Sequence, residues 1–162
     1  MDTAIKFPII IVIHRKNGAD SLLPQLLSGR TRMIVKEAEE KEELLAGVIY
    51  IAPSDYHLLI ERDHTLSLDY SEKINYSRPA IDVTFQTAAE VYKDKLACLL
   101  LSGSNADGVN GLKTVKMWGG EALIQSPESA QVAYMPEQAK KLVEIDYSLD
   151  IESMAEFINL LS

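Results

Sequence analysis

The sequence predicts an α/β domain with a mostly parallel sheet, and three observations carry that expectation. Residues 7–13 (FPIIIVI) form a near-continuous β-branched run, the pattern of a strand buried on both faces. Residues 96–101 (LACLLL) form a second buried run. Around them, apolar runs alternate with amphipathic or polar segments, as strands alternate with helices in a parallel sheet.

The elements follow in order. The first run ends in the polar loop 14–18. Asp20 can cap a short helix over 21–27, and Ser28-Gly29 stops it. Residues 33–35 are a short strand candidate. Residues 37–43 are a charge run that reads as a solvated turn or helix face. Short strands are expected at 48–52, 57–61 and 65–68. Pro53-Ser54-Asp55 is a turn before the second of these, and Asp63-His64 a hairpin turn before the third. Residues 79–92 have helical spacing, with Ile81, Phe85, Ala88, Ala89 and Tyr92 on one stripe and Pro79 near the first turn. The small-residue loop 102–110 follows the LACLLL strand. An amphipathic helix over 111–118, closed by Gly119-Gly120, leads to a strand at 121–125. Two more helices are expected at 136–142 and 151–161. No repeat, low-complexity segment or flexible linker interrupts residues 1–162, which read as one domain.

Composition narrows the function. The chain has 162 residues, 47% apolar and 25% charged, and a formal net charge of -8. That acidity argues against a nucleic-acid backbone or an anionic membrane as the main partner, since both repel it at long range. No apolar stretch approaches the ~20 residues that span a bilayer, and no signal peptide is visible. A cytoplasmic location is expected. Cys98 is the one cysteine and lies inside an apolar run, so it reads as a small buried hydrophobe.

Few residues can carry chemistry. His14 directly follows the first strand, and histidine is the side chain best suited to proton transfer near neutral pH. Asp107 lies in Ser102-Gly103-Ser104-Asn105-Ala106-Asp107-Gly108, after the second buried strand. A carboxylate there can orient an imidazole; it can equally serve as a turn aspartate or helix cap. In open α/β sheets, sites lie beyond the carboxyl ends of strands, where both residues fall. The sequence holds no G-x-S-x-G turn to expose a nucleophilic serine. Ser102 and Ser104 sit too near Asp107 on one loop to be an obvious third member. His57 and His64 read as structural or surface residues. The spacing offers no zinc site, and the glycine loop lacks the lysine of a phosphate-binding loop.

Several stretches together resemble CheB-type protein-glutamate methylesterase catalytic domains. Ile11-Val12-Ile13-His14 resembles the strand and catalytic histidine of that family. Residues 47–57 resemble its G-x-x-Y-x-A-P-x-x-x-H stretch, and Arg78-Pro79-Ala80-Ile81-Asp82-Val83-Thr84-Phe85 its R-P-S-V-D-x-L-F segment. Leu101 to Gly108 is similar to its L-T-G-M-G-x-D-G loop. Gln125 to Ala130 and Tyr134-Met135-Pro136 resemble two later elements. The resemblance covers about residues 7–145 and implies a Rossmann-like three-layer fold, with the family's first strand and helix missing. It implies hydrolysis of glutamate methyl esters on the cytoplasmic helices of methylated chemoreceptors, without metal or organic cofactor. By resemblance His14 is the general base, Asp107 the orienting carboxylate, and the Gly103-Ser104 loop the oxyanion site.

The departures shape the expectation. The family's nucleophile turn precedes the histidine strand, so the chain is expected to be N-terminally incomplete and inactive as given. A side exposed by that loss would favour self-association. Arg15, Lys16 and Asn17 stand where the family has methionine and proline. Gly103-Ser104-Asn105 replaces G-M-G, and Tyr134 replaces a glycine. No receiver domain is expected in residues 1–162. The alternative function is an inactive receptor-binding or scaffold module on the same fold.

Overall fold

The computed structural model describes residues 5–15 and 22–161, which form two compact units meeting in sequence at Ala80 and Ile81. Each is described by itself.

The first unit opens with β1 (Ile9–Ile11), α1 (Leu23–Ser28), β2 (Ile34–Glu37) and β3 (Val48–Ile51). Its sheet is parallel, in the order β1-β3-β2, with Ile10 opposite Tyr50 and Lys36 opposite the same tyrosine on the other side. The middle strand β3 is the most buried, with Tyr50, Ile51 and the following Ala52 at 1% exposure or less. The Tyr50 hydroxyl donates to the Glu43 carbonyl and accepts from the Leu45 amide, both at 3.0 Å, tying the charged segment to the core. That segment is a solvated turn whose charges pair: Lys36 bridges to Glu42 and Glu39. An antiparallel hairpin follows, β4 (His57–Ile60) with β5 (Leu66–Asp69), turning through Asp63-His64 as expected.

The second unit contains α2 (Ile81–Tyr92), β6 (Ala97–Leu100), α3 (Val109–Met117), β7 (Glu121–Gln125), α4 (Tyr134–Leu142), β8 (Tyr147–Leu149) and α5 (Ile151–Leu160). Its sheet is also parallel, in the order β6-β7-β8. The middle strand is again the buried one: Ala122, Leu123 and Ile124 are fully enclosed, along with Leu112 and Val115 of α3. Asp150 caps α5 by accepting from the Ser153 amide at 2.8 Å.

Some expectations change. The run 7–13 yields a strand of three residues that is half-buried, because β1 pairs with β3 on one side only within its sheet. The 96–101 run likewise leaves Ala97 and Leu101 exposed at its ends. The start of the helix expected at 21–27, with its Asp20 cap, lies outside the described residues; α1 itself begins at Leu23 and carries Pro24 in its first turn. Strand β8 was not expected, since Tyr147 and Ser148 are exposed and three residues show no alternation.

Candidate functional site

Three parallel strands in each unit end on loops, and the site residues lie on those loops. In the first unit, His14 is exposed, three residues past β1. Its neighbour Arg15 points inward, its side chain only 7% exposed. One guanidinium nitrogen donates to the Ala52 carbonyl at 2.8 Å and to Glu37 Oε1 at 2.9 Å. Ala52 follows β3 and Glu37 ends β2, so Arg15 laces together the carboxyl ends of all three strands. The backbone bearing His14 is thereby fixed to the sheet. Composition gave no sign of this, because the partners lie 37 and 22 residues away.

The same unit buries its other central histidine. His57 Nδ1 accepts from the Ala80 amide at 3.1 Å, so the proton sits on Nε2, which donates to the Glu72 carbonyl at 2.8 Å. Both ring nitrogens are spent on backbone, which makes His57 a structural residue. Nearby, Arg78 donates from Nε and Nη2 to Asp55 Oδ1 at 3.1 and 2.7 Å, and its guanidinium lies 3.8 Å from the centre of the Tyr70 ring. That hydrogen bond, outweighing burial, holds the Asp55 carboxyl below its usual range.

In the second unit, Gly103, Ser104 and Asp107 share the loop between β6 and α3. The loop is zipped to residues 132–135. The Gly103 amide donates to the Val132 carbonyl at 3.0 Å, and the Gly103 carbonyl accepts from the Met135 amide at 3.0 Å. The Ser102 hydroxyl donates to the Val132 carbonyl and accepts from the Val132 amide, at 3.1 and 2.8 Å. Gln125, at the end of β7, accepts from the Ser102 amide at 2.9 Å and donates to the Ser129 carbonyl at 3.2 Å. A side chain at Gly103 would fall 2.6 Å from Met135 Cε, so the methionine end would have to move to admit one. The Gly103 amide is spent, whereas among the described residues the Ser104 amide has no hydrogen-bond partner.

Asp107 is fully buried. Its Oδ2 accepts from the Ile81 amide at 2.7 Å and its Oδ1 from the Asp82 amide at 3.1 Å. Its own amide donates to Asn105 Oδ1 at 2.9 Å, closing the turn. A carboxylate offers about four acceptor positions, so one such group can hold helix amides and also accept from an imidazole N–H. The cap and the orienting roles are therefore compatible in one side chain. Among the described residues, no three His, Cys, Asp or Glu side chains converge, and no helix is long and apolar enough to cross a membrane.

A family model described as CheB methylesterase matches residues 1–158. The chain belongs to the CheB methylesterase family. It is 46% identical over 161 residues to a putative protein-glutamate methylesterase/protein-glutamine glutaminase of Leptospira interrogans, covering 99% of this chain and 83% of that one. It is 37% identical to the corresponding Thermotoga maritima protein, of which it spans 44%. The crystal structure of the T. maritima CheB methylesterase catalytic domain shares its fold, with a TM-score of 0.93 at 35% identity, covering 98% of this chain and 86% of that one. The α/β architecture expected from the apolar runs is thus the CheB methylesterase fold.

Proposed function

We propose that this chain carries the general base and the orienting carboxylate of a Ser-His-Asp hydrolase acting on glutamate methyl esters of chemoreceptor cytoplasmic helices. The observation that supports it most is the Asp107 carboxylate, fully buried on the loop after β6 and held in place by the Ile81 and Asp82 amides. His14 stands at the corresponding end of β1, on a backbone that Arg15 fixes. Ser102 has its hydroxyl committed on both sides to Val132, which counts against it as the attacking group.

The chemistry then runs in two acyl transfers. The serine oxygen bonds the ester carbonyl carbon while its proton passes to His14. Asp107 orients the imidazole and balances its charge. The Ser104 amide donates to the oxyanion, a contribution of about 3 kcal/mol for one such donor. The carbon–methoxy bond breaks, and methanol leaves with the proton held by His14. Water attacks the acyl-serine by the same path and releases a glutamate side chain. The related Leptospira and Thermotoga proteins are also named as glutaminases, and amide hydrolysis would use the same groups. A cytoplasmic setting suits that partner.

Methanol release from a methylated receptor fragment tests the reading. The 162-residue chain alone releases none above background. The chain extended by a strand, a G-x-S-x-G turn and a helix releases methanol. In that form His14→Ala lowers turnover by several orders of magnitude, and Asp107→Asn by roughly 10⁴-fold. Turnover by the chain alone, or full activity in folded His14→Ala, would sink the assignment. Binding of the fragment by the extended form without methanol release would point instead to a scaffold module.

A further inference from the structure

Helices α2 and α3 both begin without a cap of their own. Ala80 precedes α2 and has no side-chain acceptor, and the N-cap of α3 is Gly108, at φ +100°. The amides of a first helical turn have no intrahelical partner and need an outside acceptor. Here each helix receives it from the other. Asp107 accepts from Ile81 and Asp82 at the start of α2. Asp82, itself 4% exposed, accepts through Oδ1 from Gly108 at 2.9 Å and from Gly111 at 2.7 Å. The two helices can meet this closely because of Gly111. A Cβ there would lie 2.6 Å from Phe85 Cβ and 3.2 Å from Asp82 Cα.

The exchange has a direction that matters for the site. Asp107 immediately precedes Gly108, whose amide Asp82 holds. The turn that aims the Asp107 carboxylate is therefore fixed from α2, by a residue on the far side of the interlock from the site loop. We propose that Asp82 is a positioning residue for Asp107: by gripping Gly108 and Gly111 it keeps the Asp107 carboxylate in one orientation. This rests on Asp107 being the orienting carboxylate, and Asp82 touches neither substrate nor imidazole. The bonds from Gly108 and Gly111 fall on one oxygen, which an asparagine also supplies.

The first test needs only the 162-residue chain. The scalar coupling across the hydrogen bond from the Ile81 amide nitrogen to the Asp107 carboxyl carbon reports that orientation. It is expected in the wild type and in Asp82→Asn, which keeps the oxygen in place, and it is lost in Asp82→Ala. A folded Asp82→Ala that retains the coupling overturns the inference. The second test uses the nucleophile-bearing form above. Asp82→Ala is expected to lower kcat about 10²-fold, the scale of a misplacement near 1 Å, with KM unchanged. Asp82→Asn restores most of it. If the alanine variant does not fold, Asp82→Glu replaces it, since glutamate keeps the charge but moves the oxygen by one methylene. Positioning places asparagine above glutamate in kcat, and the reverse order overturns it. A severe Asp107→Asn beside an unchanged Asp82→Ala overturns this inference alone. A neutral Asp107→Asn overturns the triad reading, while the coupling still decides whether Asp82 sets the carboxylate.

Discussion

His14 and His57 carry the same ring in opposite surroundings, and the difference decides what each can do. His57 is 1% exposed and spends both nitrogens on backbone groups, the Ala80 amide and the Glu72 carbonyl. Its removal leaves the buried Ala80 amide unmatched, at roughly 1–3 kcal/mol, and empties the space of an almost fully enclosed ring. His57→Ala should therefore cost about 3 kcal/mol or more of stability, a fall in Tm near 10 °C. His14 is exposed, and His14→Ala should move stability by less than about 1 kcal/mol. Thermal unfolding of the two variants checks this; an equal fall in both would defeat the distinction. Asp107 belongs to neither class. Both its oxygens face amide N–H groups, so the amide nitrogen of Asp107→Asn must oppose a donor. That variant should lose stability as well as turnover, and its activity is meaningful only beside its Tm.

Elements were more legible than the residues that join them. The hairpin β4–β5, the helix α2 and the strand β7 stand within two residues of where turn signals and apolar spacing place them. Such signals are local, and a strand or helix is mostly a local pattern. The interlock of Asp82 with Gly108 and Gly111 spans 26 and 29 residues, so no window of sequence contains it. Arg15 escaped for the same reason. Strain hides in the same way. Ile74 and Ser77 exchange both backbone hydrogen bonds, at 3.1 and 2.9 Å, around the two-residue turn Asn75-Tyr76. Both turn residues are left-handed, at φ 53° and 62°. Asparagine tolerates that region and a bulky aromatic does not, at about 1–2 kcal/mol. Tyr76 is 98% exposed, so packing does not compensate. Tyr76→Gly makes Asn-Gly, the preferred pair for such a turn. It should raise stability by about 0.5–1 kcal/mol after the added freedom of the unfolded chain. An unchanged or lower urea midpoint would contradict the strain.

At the scale of the molecule, a net charge of -8 makes acid the natural probe of stability. Two carboxylates tie distant segments, one in each unit. Asp55 is held below its usual range chiefly by its hydrogen bond with Arg78, against a smaller opposing effect of burial. For Asp146 burial pushes upward, but the hydrogen bonds from Lys116 and from the Ala122 amide outweigh it, and the net direction is again down. A carboxyl depressed in the folded state binds fewer protons there than in the unfolded chain. Its stabilisation is complete above the unfolded value, about 3.9 for aspartate, and fades as pH falls through the folded value. Both units should thus weaken below about pH 4. Asp55→Asn and Asp146→Asn should each be less stable than the wild type at pH 7. Each should also lose less as the pH drops from 5 to 2.5, because the group that takes up the proton is gone. Urea midpoints across that range give the comparison. Wild-type and variant curves that fall in parallel would mean that other carboxylates, and not these two ties, set the acid limit.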